Sequence, residues 1–170
     1  MNEQKNYAII PIEEKHIDAF REAVGAVAKE GRFLALMDTP SIEQVRAFIT
    51  EQLRNKMPHY IAVVGEEIVG WCDIASFNRP AFAHSGVLRM GIRKEYRGVG
   101  LGKKLMQIVL DKGREMGLTR VELDVREDNE SAIKLYKKFG FMVEGTKRNA
   151  CKTDGIYSNV LVMGLLFDGK

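Results

Sequence analysis

Apolar and polar residues change rhythm several times along this chain, and each rhythm predicts an element. Tyr7–Ile12 is a short apolar run and reads as a first strand. Glu13–Lys29 carries Ile17, Phe20, Val24 and Val27 at helical spacing, and Gly31 follows as a stop signal. Arg32–Pro40 has no period and reads as irregular. Ser41 then opens a second helix as its N-cap, with Gln44 in the capping-box position. Val45, Phe48, Ile49 and Leu53 line one face of that helix, which runs to about Asn55. Tyr60–Val64 and Ile68–Ile74 flank the turn Gly65-Glu66-Glu67 and predict an antiparallel hairpin. Asn78–Ser85 is a loop containing Pro80, and Gly86–Ile92 is another strand.

The second half alternates differently. Gly100–Met116 reads as a helix with Leu101, Leu105, Ile108 and Val109 along one side and Gly117 at its end. Thr119–Val125 is a strand whose Val121, Leu123 and Val125 point one way. Asn129–Phe139 is a helix with Ala132, Leu135, Tyr136 and Phe139 on one stripe, and Gly140 stops it. Phe141–Thr146 and Tyr157–Phe167 close the fold as strands, with the turn signal Asp154-Gly155 inside a last long loop, Asn149–Tyr157. The order βααβββαβαββ predicts an α/β fold: a mixed, mostly antiparallel central sheet flanked by helices.

Size and composition narrow the class. The 170 residues correspond to one domain, 1–170, with no internal repeat or linker. An apolar share of 45% excludes a disordered chain. The apolar runs are too short to cross a membrane as a helix, and the start lacks the pattern of a signal peptide. Cys72 and Cys151 stand far apart with no CxxC pattern, so neither a disulfide framework nor a thiolate metal site is expected. These features point to a cytoplasmic setting. A net charge of +3 is too mild for nucleic-acid binding. Yet Arg93, Lys94, Arg97, Lys103, Lys104 and Lys112 crowd one region, as either a solvated helix face or a polyanion site.

The segment Tyr96-Arg97-Gly98-Val99-Gly100-Leu101-Gly102-Lys103-Lys104 bears on that choice. It follows a strand and opens a helix. Three glycines at alternate positions free the backbone and let its N–H groups approach a ligand. The helix behind adds the positive end of its dipole, so the segment suits a phosphate or diphosphate; a tight strand-to-helix turn is the bland alternative. Neither nucleotide motif fits. A P-loop needs Ser or Thr after its Lys, and Lys104 follows Lys103. A G-x-G-x-x-G fingerprint fails from Gly98, where Lys103 takes the last place, and from Gly100, where Leu105 does. What fits is R-x-x-G-x-G: Arg97, Gly100, Gly102.

A second motif follows: Asn129-x-x-Ala132-x-x-Leu135-Tyr136-x-x-x-Gly140-Phe141. Together the two motifs resemble the GNAT superfamily of acyl-CoA-dependent N-acetyltransferases, over Gly86 to about Phe167; the first 60 residues match only in their βαα order. The resemblance implies acetyl-CoA as acyl donor and a primary amine as acceptor: a small amine, an amino acid or a protein amino group. It implies that the backbone N–H groups of Arg97, Gly98, Val99, Gly100, Leu101 and Gly102, with Lys103, hold the cofactor's diphosphate. Met90, Gly91 and Ile92 would offer main-chain bonds to the pantetheine on a splayed strand. A backbone N–H around Gly91 would meet the oxyanion. Asn129 would lie near the cofactor arm; it also suits a helix N-cap, as does Asp128.

Tyr136 matches the family's general acid, which protonates the departing thiolate; a core tyrosine is the alternative on this apolar stripe. Many members place a carboxylate on the strand before the glycine loop. Here that strand reads Gly-Val-Leu-Arg-Met-Gly-Ile and has none. His84 and Asp73 are the candidate bases, each of which could equally be structural. The acceptor pocket is expected from Arg32–Thr39, from Asn78, Arg79 and Phe82, and from the Asn149–Tyr157 loop, with Trp71 as wall or core. Some members carry an Asp two residues after the Tyr corresponding to Tyr157, where this chain has Asn159. The family also allows a homodimer. The competing function is a non-catalytic sensor of acyl-CoA, against which Tyr136 argues.

Overall fold

The computed structural model describes residues 6–167. Along the chain lie β1 (Ala8–Pro11), α1 (Ile17–Ala28), α2 (Ile42–Arg54), β2 (His59–Val64), β3 (Glu67–Ser76) and β4 (Ser85–Ile92). They are followed by α3 (Leu101–Glu115), β5 (Arg120–Arg126), α4 (Glu130–Lys138), β6 (Met142–Thr153) and β7 (Ile156–Leu166). Short 3-10 turns precede α1, β4 and the glycine segment. The strands form one seven-stranded sheet in the order β1-β2-β3-β4-β5-β7-β6. Its ladders are antiparallel at β1–β2, β2–β3, β5–β7 and β6–β7, and parallel at β4–β5. The expected element order and the mixed, mostly antiparallel sheet are both present. No helix among the described residues is long and apolar enough to cross a membrane.

Two compact units divide the described chain: 6–73 with 90–112, and 74–89 with 113–167. In the first, α1 and α2 bury Ile17, Phe20, Ala23, Val24, Val27, Val45 and Ile49 with Ile61, Ile68 and Trp71 of β2 and β3. Each of the fully buried Val, Ile and Phe side chains contributes roughly 1.5–3 kcal/mol. Ser41 caps α2 as expected: its hydroxyl accepts from the Gln44 N–H at 3.2 Å, and the Gln44 side chain accepts from the Ser41 N–H at 3.0 Å. Gly65, at φ 60°, leads the two-residue turn between β2 and β3. Gly70 leaves room for α3, since a Cβ there would lie 3.2 Å from the Leu101 side chain.

In the second unit, β5 buries Val121, Leu123 and Val125, the alternation the sequence predicts. Its parallel ladder with β4 joins Ser85–Val87 to Arg120–Glu122, while its antiparallel ladder with β7 runs on to Arg126. The expected loop Asn149–Tyr157 is a correction. β6 continues to Thr153, and a two-residue turn at Asp154 and Gly155 leads into β7. The strand is exposed along nearly its whole length, so no alternation marks it in the sequence. Asn149, at φ 51°, sits where the register shifts between Lys147 and Cys151.

Candidate active site

The glycine segment lies in the first unit. Gly98 and Gly100 take φ of 75° and 83°, a region closed to most L-residues. A Cβ built on either would meet nothing within 4 Å, so the outer face of the turn is open. The first helical bond of α3 runs from the Lys104 N–H to the Gly100 carbonyl. Among the described residues, the amides of 98–103 have no intramolecular hydrogen-bond partner. They stand at the positive end of a 15-residue helix. An anionic diphosphate fits this donor set and this space. Lys103 and Lys104 are exposed.

Arg97 is placed differently. Its N–H is used within the preceding turn, donating to the Lys94 carbonyl at 3.3 Å. Its Nε donates to the Ile92 carbonyl at 2.8 Å, and its Nη1 and Nη2 donate to the Glu30 carboxylate at 2.7 and 2.6 Å. Its guanidinium carbon lies 4.3 Å from the centre of the Phe33 ring. The charge expected to supplement the anion site is matched by Glu30.

Gly91 of β4 packs on Trp71, whose indole would lie 2.2 Å from a Cβ at that position. Of the two expected places for Trp71, wall or core, the core is observed: the ring is buried and edge-on to Phe20 at 5.6 Å. Asp73 is buried, and its carboxylate accepts from the Gln52 side chain at 3.3 Å. In the β2–β3 ladder it stands opposite His59, which is also buried and packs on Phe20 and Phe48. Burial pushes the adjacent Cys72 thiol well up, and Asp73 adds to the shift.

The second unit holds the other motif. The Asn129 side chain caps α4, accepting from the Ala132 N–H at 3.3 Å. Tyr136 is buried on α4. Gly140, at φ 91°, ends the helix in a Schellman motif: its N–H donates to Lys137, and the Phe141 N–H donates to Tyr136. His84 is exposed just before β4, and its carbonyl accepts from Thr119 and Arg120. Asn159 of β7 accepts from the Asn149 N–H and donates to Glu127. Among the described residues, no cluster of His, Cys, Asp or Glu is grouped to hold a metal ion.

A strand–glycine turn–helix with free amides, at the head of α3 in a mixed sheet of this order, suits an anionic diphosphate ligand. The profile of the acetyltransferase (GNAT) family matches residues 27–141, which include both motifs, and the chain belongs to that family. It is an acetyl-CoA-dependent N-acetyltransferase. It is 33% identical to the N-alpha-acetyltransferase RimI of Mycobacterium tuberculosis over 111 residues, 64% of this chain and 68% of that one. It is 29% identical to the L-amino acid N-acetyltransferase AaaT of Escherichia coli over 111 residues, 65% of this chain and 68% of that one. A crystal structure of a GNAT-family acetyltransferase from Streptococcus pneumoniae superposes with a TM-score of 0.87 at 26% identity, covering 95% of this chain and 100% of that one. Solved structures of this fold include complexes with acetyl-CoA.

Proposed function

We propose that the chain, acting as a single catalytic domain, moves an acetyl group from acetyl-CoA to a primary amine by direct attack, with Tyr136 as general acid. The acceptor is a small amine, an amino acid or a protein amino group. The observation that carries this reading is the open turn at 98–102, with its free amides at the head of α3.

Bound acetyl-CoA supplies a thioester: the amine nitrogen forms a bond to the carbonyl carbon, and the carbon–sulfur bond breaks to leave a thiolate. The amides of 98–102 and the Lys103 side chain bind the diphosphate, and Arg97 holds the turn from behind. The main chain of Met90, Gly91 and Ile92 aligns the pantetheine. The Gly91 N–H meets the charge that develops on the carbonyl oxygen. Asn129 holds the start of α4 beside the cofactor arm. The Tyr136 hydroxyl gives its proton to the departing sulfur.

The attacking amine must shed a proton. Asp73 is sealed beneath α2 and already accepts from Gln52, whereas His84 is open to water and can pass a proton on, so His84 is the base we assign. No covalent enzyme intermediate is needed: Cys72 is buried, with its thiol pushed well up by burial, and among the described residues Cys151 has Thr153 and Arg126 beside it, neither of them a general base.

A screen of amines, amino acids and short peptides with acetyl-CoA, following free thiol, tests the reading. Thiol release that requires one acceptor class, with Tyr136→Phe slowing turnover about a hundredfold at unchanged acetyl-CoA affinity, supports it. Unchanged turnover in Tyr136→Phe removes the acid role.

A further inference from the structure

Beyond the bond from the Lys104 N–H to the Gly100 carbonyl, the open turn has little of its own to hold its shape. Gly98 and Gly100 carry no side chain, a Cβ at either would meet nothing within 4 Å, and among the described residues the amides of 98–103 have no hydrogen-bond partner. Two glycines at positive φ also have the largest conformational freedom to lose. The shape must therefore come from the flanks. On the helical side, Leu101 and Leu105 are buried. On the strand side the flank is Arg97, whose backbone is extended at φ −80° and ψ 156° as it enters Gly98.

Three independent contacts fix the Arg97 side chain, and two of them come from one distant segment. The Ile92 carbonyl takes Nε at 2.8 Å. The Glu30 carboxylate takes the other two nitrogens at 2.7 and 2.6 Å, a fork-on-fork pair. The Phe33 ring lies under the guanidinium at 4.3 Å. The two side chains of the pair are partly shielded, at 29% and 26% exposure. Glu30 follows the C-cap of α1, Lys29, and Phe33 stands on the irregular stretch that leads to α2.

We propose that Glu30 and Phe33 are positioning residues for the cofactor: by pinning Arg97 they set the glycine turn in its binding shape before acetyl-CoA arrives. The inference rests on the reading that this turn binds the diphosphate. It has a consequence of definite sign. If Arg97 were a cation for the cofactor, removing the Glu30 charge would release it and tighten binding. If Arg97 is a strut, the same change loosens the turn and weakens binding, because preorganisation is lost.

The test is titration of acetyl-CoA into the wild type, Glu30→Gln, Phe33→Leu, Arg97→Lys and Arg97→Gln, with Gly100→Val as control. Steady-state rates accompany each titration. The expected result is that Glu30→Gln raises Kd about fivefold, a figure discounted for partial exposure. Phe33→Leu raises it about twofold to threefold. Arg97→Lys should lose as much as Arg97→Gln, because an ammonium can neither fork nor stack. In Glu30→Gln the KM for acetyl-CoA should rise with Kd while kcat at saturation holds, a split that general loss of fold would not give. Unchanged or tighter binding in folded Glu30→Gln overturns the proposal, as does full rescue by Arg97→Lys. Should Glu30→Gln not fold, Phe33→Leu with wild-type Kd overturns it instead. Normal binding by Gly100→Val brings down the diphosphate reading itself. Loss of binding there with no change in Glu30→Gln and Phe33→Leu brings down this inference alone.

Discussion

Phe141 donates its backbone N–H to the Tyr136 carbonyl at 3.1 Å, and the two rings meet with their centres 5.9 Å apart. The Schellman ending of α4 thus ties the candidate acid to Phe141, two residues past the C-cap Phe139, through both backbone and side chain. Phe141→Leu keeps the backbone bond and loses the ring contact. It should lower stability by about 1–2 kcal/mol in urea unfolding and reduce kcat several-fold, with acetyl-CoA affinity unchanged. An unaltered kcat would show that the ring does not orient the phenol.

Gly91 and Trp71 make a second pair that can be tested by exchange. A Cβ at 91 would fall 2.2 Å from the indole, so Gly91→Ala forces the buried ring to move. Overpacking of this kind costs about 1–3 kcal/mol. The double variant Gly91→Ala/Trp71→Phe should be less destabilised than the two single losses added together, because the smaller ring makes room. Strict additivity in a thermal or urea unfolding cycle would contradict the contact.

Lys56 occupies a position that glycine usually holds. It follows α2 at φ 53°, where its N–H donates to Leu53 and the next N–H, of Met57, donates to Gln52. Lys56→Gly relieves the left-handed strain of a side-chain-bearing residue. It should stabilise the fold by up to about 1 kcal/mol in urea unfolding, with no effect on turnover. A loss of stability would contradict the assigned conformation.

His16 makes stability depend on pH. Its Nδ1 accepts the Glu13 N–H at 2.9 Å, which requires the neutral ring at that nitrogen. Burial, and then nearby Lys15, hold its pKa below the ordinary 6.5, against a smaller opposing pull from Glu13. The unfolded chain therefore takes up the proton first, so stability is complete above about pH 6.5 and falls as the pH drops below it. Glu144, held below its ordinary value by the Arg120 side chain, adds a second loss at lower pH, in the carboxylate range. His16→Gln should flatten the part of the stability profile just below about pH 6.5 and leave the acidic part, as read by urea midpoints.

Much of this fold is legible in the sequence because burial on one face leaves a period. The Ser41–Gln44 box, the β5 alternation and the glycine stops after α1, α3 and α4 all follow from local chemistry. β6 beyond Thr146 does not, since a strand wet on both faces has no reason to alternate, and its bulge at Asn149 breaks the register as well. The candidate site divides the same way. The glycine turn and the α4 motif are contiguous in sequence and can be read directly. The Glu30–Arg97 pair joins residues 67 positions apart, with no spacing to announce it. Nor does the sequence show that Asp73 lies under Gln52 rather than open to water, because nothing local distinguishes a buried carboxylate from a solvated one.

The central claim is that the main chain at 98–102 binds the diphosphate of acetyl-CoA. Calorimetric titration of acetyl-CoA and of S-acetylpantetheine, which lacks the diphosphate, into the wild type and Gly100→Val tests it most directly. The account predicts that the wild type strongly prefers acetyl-CoA and that Gly100→Val loses this preference, binding both ligands weakly and alike. A Gly100→Val protein that keeps the wild-type preference would contradict it.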